Sequence, residues 1–274
     1  MAERRFRLPK DIPLDVYPPP ELYLAAARRL IDEAQRQGLL LRVMGPIALH
    51  LYFPGFVDLY RRMERLGERV FTDIDFAAYG KHRGKLVAFF QHQGYDYNPR
   101  LMMLYGQERH IYFSDHYADH VPMIDVFYDR LAMNHTVDYR GRLDIHPYCV
   151  SLTDLLLQKL QIVQINDKDL KDAMLLLLAA PVGVADQEQI NTRYLGHLLA
   201  DDWGFYHTAT TNLGKVKAAM AGVAALGPEQ RAAIAQQADQ LLRALEDVPK
   251  TRRWQGRAKV GTKRVWYNEV ADWN

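Results

Sequence analysis

The pattern of apolar and polar positions differs between the two halves of the chain. Up to about residue 150, apolar runs of strand length alternate with helical periods, and beyond that point apolar residues three and four apart predominate. The strand-like runs are 39–44, 69–76, 109–113 and 121–127, and 136–145 is typical of a hairpin. The helical periods are 21–37, 81–93, 152–163, 169–178, 188–200, 213–225 and 228–246. We therefore predict an α+β protein, in which a mixed β-sheet flanked by helices is followed by a helical C-terminal domain.

The distribution of proline, glycine and charged residues along the chain suggests where its domain boundaries lie. Residues 1–20 are basic and rich in proline, which predicts an extended arm. We predict an α/β domain over 21–150, a helical domain over 151–249 and a basic, aromatic C-terminal segment over 250–274. Within the α/β domain, 54–68 is an arginine-rich helical insertion bounded by proline and glycine.

Asp73 and Asp75 form the most informative pair of polar residues. Alternate side chains of a strand point to the same face, so the two carboxylates share a face about 7 Å apart. They repel each other unless a cation lies between them, and Mg²⁺ is usually held by one or two carboxylates together with substrate phosphates. The alternative interpretation is the solvated polar face of an edge strand.

Asp125 strengthens the metal interpretation. It lies inside the apolar run 121–127, where an isolated carboxylate is unfavourable unless it is paired or bound to a metal. A third carboxylate that faces Asp73 and Asp75 from a neighbouring strand would allow a two-metal site. The alternative is an aspartate that caps a turn at the strand end, a role that Asp129 also fits.

Gly45 lies between a predicted buried strand and a helix that opens near Pro46. A glycine at this place lets a phosphate approach the backbone, with the first helical N–H groups directed at it. An ordinary turn glycine has the same sequence signature.

Lys159 interrupts the apolar face of the helix predicted over 152–163. A lysine in such a stripe either extends to solvent or meets an anion. The anion is a triphosphate on one interpretation, and the carboxylate of Asp125 or Asp172 on the other. Lys168 and Asp172 follow on the next helix and are candidates to face the same cleft.

Composition excludes several classes of protein. The chain has 274 residues, of which 49% are hydrophobic and 25% charged, with a net charge of +2, so neither a disordered chain nor a polybasic coat for nucleic acid is expected. Its single cysteine, Cys149, excludes an internal disulfide and any multi-cysteine zinc site. No apolar stretch approaches the roughly 20 residues that span a bilayer, and the N-terminus lacks the apolar core of a signal peptide. We expect a cytoplasmic protein.

A local basic patch lies near the C-terminus. Residues 250–264 contain seven lysines and arginines and no acidic residue, and Trp254, Trp266 and Tyr267 lie among or just after them. Basic and aromatic residues together are typical of a track for single-stranded nucleic acid. The alternative is a tail folded back on the acidic remainder of the chain, with its tryptophans completing the core.

Taken together, these motifs resemble the nucleotidyltransferase superfamily, whose minimal fold is polymerase-beta-like. The matching features are the strand before Gly45, the Asp73-x-Asp75 pair, Asp125 on a later strand and a helical Leu-x-x-Lys that ends at Lys159. Within the superfamily the chain resembles bacterial AbiEii-type toxin nucleotidyltransferases and an uncharacterised bacterial nucleotidyltransferase-like branch. The segments similar to that group are 155–163, 168–172, 202–204 and 253–267. The resemblance covers roughly 36–270 and is strongest at 70–76 and 152–178.

The resemblance implies transfer of a nucleoside monophosphate from an NTP to a hydroxyl, with Mg²⁺ or Mn²⁺ as cofactor. It implies that Asp73 and Asp75 hold metals that bridge the NTP phosphates. Asp125 would bind the second metal and deprotonate the attacking hydroxyl. Gly45 would cradle the β- and γ-phosphates, and Lys159 would neutralise charge that develops on the triphosphate.

Some features depart from the family pattern or stay open within it. The family usually has Gly-Ser or Gly-Gly where this chain has Gly45-Pro46, and Pro46 offers neither a hydroxyl nor an N–H to a phosphate. The insertion 54–68 must loop out between Gly45 and Asp73. Pro46, Lys168 and Asp172 complete the set of nucleotide-binding candidates. The acceptor is an RNA end, a protein or a small molecule. The resemblance to toxin nucleotidyltransferases also implies a partner antitoxin. The alternative is a catalytically inactive nucleotide-binding or interaction module with the same fold.

Overall fold

The computed structural model describes residues 6–65 and 69–270. The described residues form two compact units. The first unit comprises 6–54, 69–131 and 138–150, and the second comprises 55–65, 132–137 and 151–270.

Strands and helices alternate along the first half of the chain, and helices predominate in the second half. The strands are β1 (Leu41–Val43), β2 (Ile74–Ala78), β3 (Asp96–Tyr97), β4 (Arg109–Phe113), β5 (Met123–Tyr128), β6 (Arg130–Ala132), β7 (Thr136–Asp138), β8 (Val182–Gly183) and β9 (Ile190–Asn191). The helices are α1 (Pro20–Arg36), α2 (Gly45–Tyr52), α3 (Val57–Arg62), α4 (Arg83–His92), α5 (Pro99–Tyr105), α6 (Leu152–Leu160), α7 (Asp167–Ala179), α8 (Thr192–Asp201), α9 (Trp203–Ala219), α10 (Pro228–Asp247) and α11 (Arg252–Val260).

A mixed five-stranded sheet in the order β1-β2-β5-β4-β3 is the centre of the first unit. The central strands β2 and β5 are parallel, and the other neighbouring strands are antiparallel. One face of the sheet is apolar, with Phe76, Ile124 and Tyr112 completely buried. Phe90 of α4 stacks on Tyr112 with ring centroids 4.4 Å apart, so this helix covers the apolar face. The polar residues of β2 and β5 therefore point to the opposite face.

Helix α1 follows directly from its sequence pattern. Pro20 occupies the first helical turn, where its missing N–H is not required. Residues at spacings of three and four are buried along one stripe: Tyr23, Ala27, Leu30, Ile31 and Ala34. Beyond its C-terminus Gly38 adopts a φ of +69°, which ends the helix with a left-handed residue.

Helices dominate the second unit. All nine residues of α6 are buried, and the helix packs against α7 and α9. Ser151 caps α6 through a hydrogen bond that its hydroxyl accepts from the backbone N–H of Asp154, at 3.1 Å. Asn166 caps α7 in the same way through the N–H of Asp169. The short strands β8 and β9 pair in parallel beside these helices.

The predicted fold class is confirmed, because a mixed sheet with helices is followed by a helical region. Two strand predictions need correction. The strand predicted over 69–76 begins only at Ile74, so Asp73 precedes β2 instead of lying within it. The hairpin predicted over 136–145 is wrong, because β7 pairs with β6 and not with residues after Gly141. The segment after Tyr139 turns instead, with the N–H of Arg142 donating to the Tyr139 carbonyl at 3.0 Å.

The N-terminal segment and the insertion also differ in detail from the expectation. Residues 9–16 contain two short 3-10 turns, so this stretch is not extended. Ile12 is buried, and the Tyr17 hydroxyl donates to the Phe71 carbonyl at 3.0 Å, so the segment packs within the first unit. Residues 1–5 lie outside the described residues. The insertion is helical over α3, and 66–68 of the predicted 54–68 also lie outside the described residues.

Candidate metal centre

The parallel pairing of β2 with β5 brings the acidic residues together. Asp75 and Asp125 are direct cross-strand partners in this register, and Asp73 lies two residues before Asp75. One carboxylate oxygen from each of the three residues lies within 4.8 Å of the other two. Asp125 is 1% exposed, whereas Asp73 and Asp75 are half-buried. The three aspartates therefore form one cluster that is open to solvent on the side of Asp73 and Asp75.

The chemistry of this cluster suits a hard divalent cation. Oxygen ligands at this separation can surround such an ion, and Mg²⁺ or Mn²⁺ prefers carboxylate oxygen. Burial raises the pKa of Asp125 to about 6, the charge of Arg109 opposes this change, and the charge of Asp73 adds to it. A cation among the three carboxylates would relieve their repulsion, so the residues present fit the metal that the family resemblance implies. Within residues 6–65 and 69–270, no other three acidic, histidine or cysteine ligands converge in this way.

Arg109 is a member of the site that the sequence analysis missed. Its Nε donates to Oδ1 of Asp125 at 3.3 Å, and a terminal nitrogen donates to Oδ2 of the same carboxylate. The guanidinium carbon lies 5.1 Å from the centre of the Phe127 ring, which is the cross-strand partner of Arg109. The guanidinium therefore forms a two-pronged ion pair with the most buried carboxylate of the cluster. The one signal in the sequence was Asp125 itself, since a buried carboxylate requires a cationic partner.

Gly45 touches the cluster from the side of α2. It has a φ of +65°, a conformation that favours glycine, and a Cβ at this position would lie 3.3 Å from Oδ2 of Asp75. The N–H of Met44 donates to the Asp75 carbonyl at 2.8 Å, which holds the turn against β2. Pro46 occupies the first turn of α2 and removes one backbone donor there. Gly45 thus serves the turn and also leaves space beside a candidate metal ligand.

Lys159 and Asp172 belong to a separate buried cluster in the second unit. The Lys159 Nζ lies 2.9 Å from Asp169 Oδ1 and 2.8 Å from Asp172 Oδ2. Arg65 Nε lies 2.7 Å from Asp172 Oδ1, and the Tyr60 hydroxyl donates to the same oxygen at 2.7 Å. Burial alone would raise the pKa of Asp172, but Lys159 and Arg65 lower it to about 2. Of the anions considered for Lys159, the structure provides carboxylates: Asp172 as one alternative expected, together with Asp169, whereas Asp125 pairs with Arg109 instead.

The structure therefore does not place all predicted site residues in one unit. Asp73, Asp75, Asp125, Gly45 and Pro46 belong to the first unit. Lys159, Lys168 and Asp172 belong to the second, and Lys168 is exposed. Nucleotide binding by these last three residues stays a prediction.

The aromatic residues of the C-terminal segment anchor it to α9. The Trp266 Nε1 donates to Thr208 Oγ1 at 3.1 Å, and Trp254 meets Tyr206 edge-on with ring centroids 5.3 Å apart. The guanidinium of Arg257 lies 4.9 Å from the centre of the Trp203 ring. Trp254 and Trp266 thus make contacts within the second unit, as expected for a tail that is folded back on the chain.

The basic residues of the same segment are partly free. Arg253 pairs with Asp201 at 3.2 Å. Four other cationic side chains are exposed and have no carboxylate partner among the described residues: Arg252, Lys259, Lys263 and Arg264. Gly256, on the exposed face of α11, has nothing within 4 Å of where its Cβ would be. The outer face of the segment is therefore an unpaired positive surface.

Comparison with known proteins yields one weak likeness. No family model and no curated protein matches the chain. The chain is similar to the solution structure of the antibiotic-resistance factor ANT(2'')-Ia, with 15% sequence identity, a TM-score of 0.34 and coverage of 68% of this chain and 97% of that chain. This likeness carries no functional argument, and the resemblance to AbiEii-type proteins stays a prediction. Among the helices of the described residues, none has the length and apolar character needed to cross a membrane.

We predict that Lys159→Met lowers the free energy of unfolding by about 3–5 kcal/mol, because it leaves the buried Asp169 without its ion-pair partner and removes one of the two cations that pair with the buried Asp172. The matched control is Lys217→Met, which breaks the half-exposed pair with Asp239 and should change stability by less than about 1 kcal/mol. Urea unfolding followed by circular dichroism measures both. Equal losses in the two variants would contradict a structural role for Lys159.

A second prediction separates the two roles of Gly45. Gly38→Ala and Gly45→Ala each force alanine into a left-handed conformation, at a cost of about 1–2 kcal/mol. Only Gly45→Ala also crowds Asp75, since the Cβ position of Gly38 is open. We expect both variants to lose similar stability and only Gly45→Ala to bind Mn²⁺ more weakly, as measured by electron paramagnetic resonance. Equal Mn²⁺ affinity in the two variants would show that Gly45 serves the turn alone.

Proposed function

We propose that the chain is a metal-dependent nucleotidyltransferase that transfers a nucleoside monophosphate from an NTP to a hydroxyl. The observation that carries the proposal is the convergence of Asp73, Asp75 and Asp125 within 4.8 Å beside the backbone of Gly45. Three carboxylates at this spacing suit a pair of divalent ions about 4 Å apart, which is the arrangement that supports in-line displacement at phosphorus.

The residues of the site have distinct tasks in this reaction. Asp73, Asp75 and Asp125 would hold Mg²⁺ or Mn²⁺, which when bound neutralises charge on phosphate oxygens and orients them. The hydroxyl oxygen of the acceptor attacks the α-phosphorus, the bond from that phosphorus to the bridging oxygen of the β-phosphate breaks, and pyrophosphate leaves. A carboxylate oxygen of Asp125 takes the proton of the hydroxyl. Gly45 leaves space for the phosphates beside Asp75.

The basic outer face of α11 supports an RNA end as the acceptor. Arg252 and Lys259 lie on its exposed side and Lys263 follows the helix, while Trp254 and Trp266 are already engaged with α9. Such a surface contacts phosphates by charge and close approach, without base stacking. Recognition would therefore depend on the polyanionic backbone of the acceptor more than on its sequence.

The activity is tested with α-³²P-labelled NTPs, Mn²⁺ or Mg²⁺ and a short RNA. We expect label transfer to the RNA, and a loss of about 10²-fold or more for Asp75→Asn, the scale seen when one stabilising group of a transition state is removed. Asp115→Asn, which changes an exposed aspartate of the same unit, is the matched control and should retain activity. Transfer that Asp75→Asn leaves intact would contradict the proposal, whereas label on the protein itself would contradict an RNA end as the acceptor.

The acceptor surface has a separate test in the salt dependence of RNA binding. The logarithm of the affinity should fall with the logarithm of the salt concentration, with a slope of about −0.7 per phosphate contacted. Lys259→Gln/Lys263→Gln should flatten this slope, whereas the control Lys81→Gln/Lys85→Gln removes the same charge from exposed lysines of the first unit and should not. Identical slopes for the two double variants would exclude α11 as the acceptor surface.

A non-catalytic nucleotide-binding module is the second candidate function. Two observations favour it: Pro46 removes a phosphate donor, and Arg109 already neutralises Asp125. This alternative predicts NTP binding that does not require a divalent ion and that Asp75→Asn leaves unchanged, with no label transfer to any acceptor.

A further inference from the structure

The ion pair between Arg109 and Asp125 uses oxygens that a metal would require. Both N–H groups of the guanidinium fork are directed at this one carboxylate, Nε to Oδ1 and a terminal nitrogen to Oδ2. The side chain of Asp125 is 2% exposed and that of Arg109 is 25% exposed. Each carboxylate oxygen keeps a second lone pair beside its bond to Arg109. A cation bound there would lie next to the positive guanidinium and compete with it for the same carboxylate, and the more accessible partner, Arg109, is the one that can move.

We propose that Arg109 is a positioning residue that holds Asp125 in the absence of a divalent cation and exchanges this carboxylate for a phosphate of the incoming nucleotide when the cation binds. The inference rests on the proposed function and adds a regulatory property to it. Binding of the metal and of the triphosphate becomes coupled, because each one takes a partner from the same ion pair.

The charges around Arg109 explain why cation binding would transfer its guanidinium from a carboxylate to a phosphate. Its guanidinium interacts electrostatically with Asp75 and Asp73 as well as with Asp125, so it lies within the field of the whole acidic cluster. Once cations neutralise these carboxylates, the positive guanidinium is left beside positive ions and is stabilised only by a new anion. A phosphate presents two oxygens at a spacing that the arginine fork matches, as a carboxylate does.

The sheet allows the side chain to move without a change in the backbone. Ile111, and not Arg109, is the direct cross-strand partner of Asp125, so Arg109 reaches the carboxylate diagonally from its place opposite Phe127. The Phe127 ring supports the guanidinium from one side. A rotation of the long side chain over this ring releases Asp125 while β4 and β5 stay paired.

The experiment compares Mn²⁺ binding by the wild type, Arg109→Met and Arg130→Met, without nucleotide and with a non-hydrolysable NTP analogue. Methionine keeps an apolar side chain over Phe127 and removes the charge. Arg130→Met removes the same charge from an exposed pair with Glu108 and controls for the net charge of the unit. Electron paramagnetic resonance measures free Mn²⁺ in each titration.

We expect Arg109→Met to bind Mn²⁺ about tenfold more tightly than the wild type without nucleotide, because a positive charge in contact with a ligand has been removed. The analogue should strengthen Mn²⁺ binding in the wild type and in Arg130→Met, and this enhancement should shrink in Arg109→Met. Equal or weaker Mn²⁺ binding by folded Arg109→Met, compared with the wild type, overturns the inference and leaves the proposed metal site intact. Absence of Mn²⁺ binding in all three proteins overturns the proposed metal site as well.

A measurement on the wild type keeps the inference falsifiable if Arg109→Met does not fold. The Nε–Hε resonance of Arg109, assigned by its loss in Arg109→Lys, should be protected from exchange in the metal-free protein. Mg²⁺ together with the NTP analogue should shift this resonance. A resonance that stays unchanged while calorimetry shows Mg²⁺ and the analogue to be bound overturns the inference.

Discussion

The register between the parallel strands β2 and β5 is the constraint on which the candidate site depends. It places Asp75 opposite Asp125 and, on the other face, Ile74 opposite Ile124 and Phe76 opposite Val126. A slip of one residue would turn the aspartates into the apolar core and expose the aromatic and branched side chains. The burial of the apolar face thus holds the carboxylates together, although the carboxylates repel one another.

The three carboxylates of the cluster differ in how their negative charge is compensated. Asp125 is buried and is compensated by Arg109, whereas Asp73 and Asp75 lie nearer to solvent. A buried charge pair contributes little net stability after both charges have been desolvated, but loss of one partner is strongly destabilising. The pairing with Arg109 therefore avoids the cost of an uncompensated buried carboxylate in the metal-free fold, while Asp73 and Asp75 lie on the more accessible side of the cluster. The carboxylate of Asp125 thus affects both the stability of the sheet and the affinity of the cluster for a metal.

The acidic residues of the site were predictable from the sequence, whereas their cationic partner was not. Asp125 interrupts an apolar run, and this local anomaly requires a compensating charge wherever the strand is placed. Arg109 is an ordinary residue at the start of β4, and its role arises only from the antiparallel register of β4 with β5. The failed hairpin over 136–145 has the same origin, because the partner of β7 is β6, and strand pairing is a tertiary property.

Lys159 illustrates how far the rule about buried charges extends. Its position on the apolar face of α6 predicted either a side chain that extends to solvent or an anionic partner, and a nucleotide and a carboxylate both met the second requirement. The structure provides Asp169 and Asp172, and Asp172 also accepts bonds from Arg65 and the Tyr60 hydroxyl. These last two residues come from the inserted segment, so one ion pair and one hydrogen bond attach 55–65 to α7. A lysine that resembles a phosphate ligand in sequence thus helps to explain how the chain accommodates an insertion between Gly45 and Asp73.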